Sequence, residues 1–449
     1  MIVSRAFSGR RYAVLGLARS GLSAVETLLA SGAAVVAWDN REEARAQVVG
    51  RAEVADPLAI DLTGFDGVVV SPGVPLNRHP IADAARAAGV PVIGDIELFA
   101  LARPSLPPHR VVAITGTNGK STTTALVEHI CRSAGLPCLM GGNIGLPILG
   151  QDPLPAGGTY VLELSSYQID LTRSLAADVA ALINLSPDHL DRYDGFLGYV
   201  ASKSRLFGMQ RPAQHAVFGR GDAKTLCIAR ATAAARGKEA THVVDVAALA
   251  PDQHRWPSLP GPHNLQNAAV AVEIARLLGI GEAAWRPALA SFAGLPHRME
   301  RIAEHDGVVF VNDSKATNPA STAPALAAFP AGPRPRVHWV CGGLPKGDDL
   351  DECLPHLGNV AGAYTIGEAG PRFAALLEHL VPVRRSEMLC EAVRQAMAAA
   401  RPGDVILLSP ACASFDQFRD FEARGEAFRK IVAALAADEE ACAAVGADC

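Results

Sequence analysis

The stretch "VVAITGTNGKSTTTALVEHI", residues 111–130, constrains this chain more than any other. Its apolar, β-branched opening reads as a buried strand, and its close reads as a helix. Between them lies a glycine-punctuated turn that ends on Gly119, Lys120 and Ser121. A strand, a glycine turn and a helix in that order bring backbone N–H groups and the helix N-terminus to one point, which attracts an anion. The full phosphate-loop pattern would open on glycine, but Ile114 stands there, leaving "TGTNGKST". In this reading Gly116, Thr117, Asn118, Gly119 and Thr122 form the cradle. Lys120 reaches the β- and γ-phosphates, and the Ser121 hydroxyl ligates magnesium. The loop alone leaves three uses of the phosphate open: hydrolysis for movement, a switch, or transfer to another molecule.

At 449 residues the chain is too long for one ordinary core, so two to four domains are expected. A 49% hydrophobic and 19% charged composition suits a soluble protein with buried sheets, and a net charge of −5 gives no reason for a nucleic-acid partner. No charged-then-apolar leader opens the chain and no apolar run would span a bilayer, so no membrane partner is expected. Nine scattered cysteines without a CxxC pair point to reduced thiols in the cytoplasm.

"RYAVLGLARSGLSAVETLLASGAAVVAWDN" reads as strand, glycine turn, helix and strand, and "FDGVVVSPGVP" (65–75) adds another strand. "ARPSLPPHR" (102–110) and "GLPHRME" (294–300) are seams. Beyond the second, strands are expected at "VVFVND" (308–313), "RVHWVCGG" (336–343), "AYTIG" (363–367) and "DVILLSP" (404–410). Apolar runs separated by helical patterns imply largely parallel sheets. The expected fold class is therefore α/β in three domains. These are an N-terminal Rossmann-like domain over 1–97, a central P-loop ATPase-like domain with a mostly parallel sheet over 98–297, and a C-terminal Rossmann-like domain over 298–449. The small acidic end, "AADEEACAAVGADC", is expected to fray.

The N-terminal turn has Gly16 and Gly21 of a dinucleotide fingerprint but Ala18 in the middle, where a glycine would let backbone approach a pyrophosphate. With Asp39 at ribose-binding distance along the chain, a mononucleotide or sugar nucleotide fits better than NAD. A purely structural turn is the alternative. Glu163 closes the strand of "YVLELSSYQID", where a carboxylate near a phosphate loop suits Mg²⁺ or, equally, a strand-end ion pair. His189 in "SPDHLDRY" and Lys203 in "SKSRLF" read singly as a capping histidine and a solvated lysine. In the third domain "VNDSKATNPAS", "CGGLPKGDD" and "LLSPACASFDQFRDFEARG" place three polar loops at strand ends, which is where α/β sheets hold ligands.

Taken in order, "GTNGKST", "GGNIG", "ELSSYQ", "SPDHLDRY", "SKSRLF", "GPHNLQN", "GLPHR", "NDSKATN", "GGLPKGDD" and "LSPACASFDQF" resemble the Mur ligases from about residue 110 to 430. Over residues 1–100 the resemblance is looser, carried by "SPGVP" and "GDIELF". It implies ATP-dependent formation of an amide between UDP-N-acetylmuramoyl-L-alanine and D-glutamate through an acyl phosphate, in cytoplasmic synthesis of peptidoglycan precursors. Lys120, Glu163, His189 and Lys203 would be catalytic, with Ser121, Glu163, His189 and Lys203 holding two Mg²⁺ ions. Lys203 matches a lysine that the family uses as a carbamate, a change of charge from +1 to −1. Asn264, Asn267, Arg298 and Asp313 match nucleotide contacts. Ser20, Asp39, Asn40, Gly73 and Asn143 would take the UDP-sugar, and Thr317, Lys346, Ser414 and Phe421 the glutamate. The implied partners are these small molecules, acting on a monomer.

Within the same chemistry the rivals are another Mur ligase and a folylpolyglutamate synthase. The N-terminal Rossmann-like domain argues against the folate enzyme. From other classes, a P-loop switch would not need Glu163, His189 and Lys203 together, and an NAD-dependent dehydrogenase is disfavoured by Ala18.

Overall fold

The computed structural model describes the chain apart from Asp191, Pro330, Lys346, Asp348 and residues 447–449, with side chains described through residue 437. It packs as two compact units, one of residues 1–249 with 266–291 and one of residues 250–265 with 292 onward.

The first unit holds two sheets. Strands β1 (Arg11–Leu15), β2 (Ala34–Trp38), β3 (Glu53–Val54), β4 (Gly67–Val70) and β5 (Val92–Ile93) lie in the order β3-β2-β1-β4-β5, all parallel. Strands β6 (His109–Thr115), β7 (Cys138–Gly142), β8 (Gly158–Glu163), β9 (Val179–Leu182), β10 (His215–Phe218) and β11 (Thr241–Val243) lie in the order β11-β10-β9-β6-β8-β7, also parallel. β4, β8 and β9 are buried at every residue, as continuous apolar runs between helical layers require.

The boundary expected at 97/98 falls inside the helix Asp95–Ala102, which packs into a core shared by both sheets. Ile96, Leu98 and Phe99 have no exposed surface, and Phe99 meets Tyr160 of β8 edge-on at 5.1 Å. Each such side chain contributes about 1.5–3 kcal/mol by burial. The buried Glu97 carboxylate accepts from the backbone N–H groups of Arg173 (2.6 Å) and Ser174 (2.9 Å) and from the Ser174 hydroxyl (2.7 Å). A short helix shorn of these contacts would not hold its place.

The second unit carries one sheet of β12 (Glu300–His305), β13 (Val308–Asn312), β14 (Val337–Gly342), β15 (Val360–Ile366), β16 (Val383–Glu387) and β17 (Val405–Leu408). The order is β12-β13-β17-β14-β15-β16, parallel except for the β12–β13 pair. Trp339 and Phe373 fill one face, while Phe310, Ile406 and Phe428 fill the other. The four strands expected here are present. β12 and β16 join them at the edges, where "ERIAEH" and "VRRSE" keep charges toward water. The acidic end expected to fray continues the helix Phe421–Gly446 as far as its described residues run, and its Ala-rich sequence suits helix.

Candidate active site

The phosphate loop leaves β6 at Thr115 and enters the helix Lys120–Ser133. Gly119 sits at φ +82°, and a Cβ there would lie 2.3 Å from Asn267 Oδ1, so only glycine lets the loop pass this asparagine. Asn184, just after β9, fixes the loop from below. Its carbonyl accepts from Thr117 N–H (3.0 Å), its Oδ1 from Asn118 N–H (2.9 Å), and its Nδ2 donates to Asn118 O (3.1 Å). Thr117 Oγ1 exchanges hydrogen bonds with Ser186 O and N–H at 3.2 and 3.0 Å. The Lys120 ammonium lies over the loop, donating to Gly116 O (3.0 Å) and Thr117 O (2.7 Å). Thr122 is half-buried in the first helical turn.

Ser121 and Glu163 meet here. The Ser121 hydroxyl donates to Glu163 Oε2 at 2.6 Å, and Asn143 Nδ2 donates to Oε1 at 2.9 Å. Gly142, at φ +91°, brings the β7 end so close that a Cβ would fall 2.2 Å from Glu163 O. Asn143 thus reaches both Glu163 and the neighbouring cavity. A hydroxyl beside a carboxylate is a hard-oxygen pair of the kind Mg²⁺ takes.

Lys203, on the helix Gly195–Gly208, is 1% exposed. Its Nζ donates to Thr115 Oγ1 at 3.2 Å and lies 4.8 Å from the centre of the Tyr199 ring. Burial, and then the charge of Lys120, hold its ammonium well below the usual lysine range. His189 takes a left-handed backbone at φ +52°, with a half-exposed ring 3.5 Å from Asp188 and 5.1 Å from the Tyr167 ring. Among the described residues no three His, Cys, Asp or Glu side chains are grouped to hold a metal.

A cavity of about 400 Å³ opens at the carboxyl ends of β1 and β4 and is lined by Ser20, Asp39, Gly73, Asn143 and Gln168. Asn40 is exposed outside that lining, and its carbonyl accepts from Arg45 at 3.0 Å. Asp39 is engaged by Leu17 N–H (2.7 Å) and by Arg41 N–H and Nε (3.0 and 3.2 Å). Burial raises its pKa, but these donors outweigh it and bring the carboxyl down to about 2. The acid therefore shapes the glycine turn as well as facing the cavity.

In the second unit Asp313 follows β13, accepting from Ser409 Oγ (2.8 Å) and Met299 N–H (3.1 Å). Burial outweighs those bonds and the facing Arg298 charge, pushing Asp313 up to about 7. Phe421 stands under the Lys315 ammonium at 3.9 Å. Ser414 is buried, with its carbonyl accepting from Gln417 and Phe418, and Thr317 is half-buried. Asn264 is buried and donates to Pro260 O, one helical turn from Asn267 on the helix Gly261–Leu277. Lys346 lies outside the described residues.

Sequence reasoning did not single out Asn184, Thr115, Gln168 or Arg424. Arg424 is 1% exposed and donates to Ser314 Oγ (3.0 Å), Ser314 O (2.8 Å), Cys412 O (3.0 Å) and Ala413 O (3.1 Å). It fastens the loop after β13 to the loop after β17. A lone arginine among alanine and glutamate in "FEARGEAF" gave no hint of this, whereas Asn184 was readable as a polar residue directly after an apolar strand.

Three family models match the chain: Mur ligase MurD-like N-terminal domain over residues 10–94, Mur ligase middle domain over 114–275, and Mur ligase glutamate ligase domain over 297–412. The chain is 74% identical over 441 residues to the UDP-N-acetylmuramoylalanine–D-glutamate ligase of Novosphingobium aromaticivorans, covering 98% of each chain. It is 62% identical to the protein of that name from Sphingopyxis alaskensis, over 97% of this chain and 100% of that one. Its fold is similar to that of the UDP-N-acetylmuramate–alanine ligase of Thermotoga maritima, at TM-score 0.57 and 16% identity over 95% of this chain and 99% of that one. It is also similar to the bifunctional folylpolyglutamate synthase/dihydrofolate synthase of Yersinia pestis, at TM-score 0.53 and 21% identity over 76% of this chain and 93% of that one.

Proposed function

The chain belongs to the Mur ligase family, and from that premise we infer that it joins D-glutamate to UDP-N-acetylmuramoyl-L-alanine at the expense of ATP, in the synthesis of peptidoglycan precursors. One observation carries the local assignment. Glu163 is held between Ser121 of the phosphate loop and Asn143 of the cavity wall, so a single strand end serves both the nucleotide and its acceptor.

In this reading the loop N–H groups and Lys120 hold the β- and γ-phosphates, with Thr117, Asn118 and Thr122 completing the cradle and Asn267 beside Gly119 limiting its width. The substrate carboxylate attacks the γ-phosphorus, forming an acyl phosphate and releasing ADP. The amine of D-glutamate, having lost its proton, then attacks the acyl carbon, an amide forms and phosphate leaves. Such a transfer needs chiefly position and countercharge. Ser121 and Glu163 would hold Mg²⁺, whose charge lets one anion approach another. A second ion would fall to Glu163 and His189, with Lys203 beside them. The buried amine of Lys203, held toward its neutral form, is suited to take up CO₂ as a carbamate, losing a proton, and so to supply an anionic donor.

Ser20, Asp39, Gly73 and Asn143 are assigned to the UDP-sugar, and Asn40 only through its place beside Asp39. Asn264, Arg298 and Asp313 are assigned to the nucleotide, and Thr317, Lys346, Ser414 and Phe421 to glutamate. We assign domain limits of 1–97, 98–297 and 298–449 to UDP-sugar, ATP and amino acid respectively. We place the reaction in the cytoplasm, where ATP and nucleotide-activated sugars are supplied, and take one chain as the working unit.

The test is phosphate release from ATP with UDP-N-acetylmuramoyl-L-alanine and D-glutamate, L-glutamate or neither. Release that requires both the muropeptide and D-glutamate, with one amide formed per phosphate, is the expected result. Release indifferent to both would return the loop to a switch.

A further inference from the structure

A cavity of about 330 Å³ opens in the second unit at the end of its sheet opposite the polar loops. Its floor is a chain of three side chains, Asp404, His338 and Tyr364, none more than 3% exposed. His338 Nε2 lies 3.4 Å from Asp404 Oδ2, and His338 Nδ1 lies 2.9 Å from the Tyr364 hydroxyl. Burial lowers the His338 pKa, with Asp404 only partly opposing it, so the ring is neutral at pH 7. One tautomer satisfies both contacts: Nε2–H donates to Asp404, and Nδ1 accepts from the tyrosine. Asp404 is further held by the Arg334 guanidinium and by Arg401 N–H at 2.9 Å.

Arg334, Arg384 and Arg401 line the cavity, and of the three guanidinium groups that of Arg334 meets the carboxylate. Two positive charges are therefore left over. Arg334 accounts for Asp404, whereas no carboxylate among the described residues pairs with Arg384 or Arg401; the adjacent Arg385 takes Glu378 instead. Burial raises the Tyr364 pKa, and the charge of nearby Arg384 offsets only part of that rise. Pro335 and Pro382 give the cavity stiff apolar sides. All three side chains are reachable from solvent, Arg384 and Arg401 being exposed. Because they share one cavity, they form an anion receptor, since guanidinium forks match the oxygens of a tetrahedral anion.

We propose that this cavity binds a phosphate dianion, either free or as the monoester of a small organic molecule. The volume exceeds what inorganic phosphate fills, which leaves room for a short organic body against the two prolines.

Calorimetric titration tests it on the full chain, with saturating ADP and Mg²⁺ occupying the phosphate loop. The probes are inorganic phosphate and glycerol 3-phosphate. Saturable binding of at least one probe at a single site is expected, with a Kd of about 1 mM or tighter. In the double variant Arg384→Gln/Arg401→Gln, with an unchanged thermal midpoint, affinity should fall roughly tenfold or more. Tighter binding of glycerol 3-phosphate identifies a monoester site, and the reverse order identifies a site for the free ion. No saturable heat from either probe up to about 10 mM, or equal affinity in both proteins, would overturn the proposal.

Discussion

Lys203 in the first unit and Arg424 in the second are both 1% exposed, and neither forms an ion pair among the described residues. What differs is the supply of acceptors. Arg424 has four, three of them backbone carbonyls, and burial brings its pKa only to about 10, so it keeps its proton at any physiological pH. Lys203 has one hydroxyl and the face of a tyrosine, and its ammonium is driven well below the usual range. A guanidinium spreads its charge over five donors and can be built into a frame, whereas an ammonium starved of acceptors becomes an amine. Arg424 is a fastener, and Lys203 is the cation proposed as a reagent.

Replacing Lys203 by Met tests the sharper half of this contrast. Turnover should fall by about three orders of magnitude, while ATP binding stays close to wild type. The denaturant midpoint should hold or rise, because an apolar side chain of similar length costs nothing in an apolar site. Arg424→Met should do the opposite kind of damage. It strands three buried carbonyls and a hydroxyl, so the second unit should lose about 3–5 kcal/mol, read from its denaturant unfolding. Equal destabilisation by the two substitutions would erase the distinction between reagent and fastener.

That distinction was only half legible in the sequence. Lys203 was found through its motif, yet read alone it looked like a solvated lysine, because burial is a property of the whole helix packing and not of "SKSRLF". Arg424 was missed because its partners are backbone carbonyls, which carry no residue type to recognise. The central strands of the sheets were readable from their apolar runs, but β12 and β16 were not, since a charged edge strand lacks that signal. The strand-end placement of Glu163 and the phosphate loop followed from the βα rhythm. The clasp on Glu163 by Ser121 and Asn143, and the anchoring of the loop by Asn184, depend on neighbours 20 to 66 residues away in the chain.

The pH dependence of stability sharpens the comparison on a smaller scale. The unfolded chain keeps the Lys203 proton up to its ordinary pKa of 10.5, while the folded chain gives it up lower. Between those two values the unfolded state binds one proton more, so stability rises with pH. Relative to Lys203→Met, and in CO₂-free buffer that leaves the amine unmodified, wild type should gain up to about 1.4 kcal/mol per pH unit across that window. The same comparison against Arg424→Met should be flat until the pH approaches 10. A sloping line there, or a flat one for Lys203, would mean that the proton assignments are reversed.

The smallest effect isolates the acceptors themselves. Thr115 and Ser314 play matched parts: each hydroxyl accepts from its buried cation and donates to a carbonyl, Leu164 O at 2.8 Å and Phe421 O at 2.8 Å respectively. Thr115→Val and Ser314→Ala should therefore each cost about 1 kcal/mol at pH 7. They should part company in what the cation does next. Arg424 retains its carbonyls and its charge, so Ser314→Ala should leave the pH profile unchanged. Lys203 loses its one hydroxyl acceptor, which makes the ammonium costlier still and should extend the sloping region toward lower pH. If Thr115→Val leaves that region where it is, burial alone sets the state of the amine and the acceptor count does not matter.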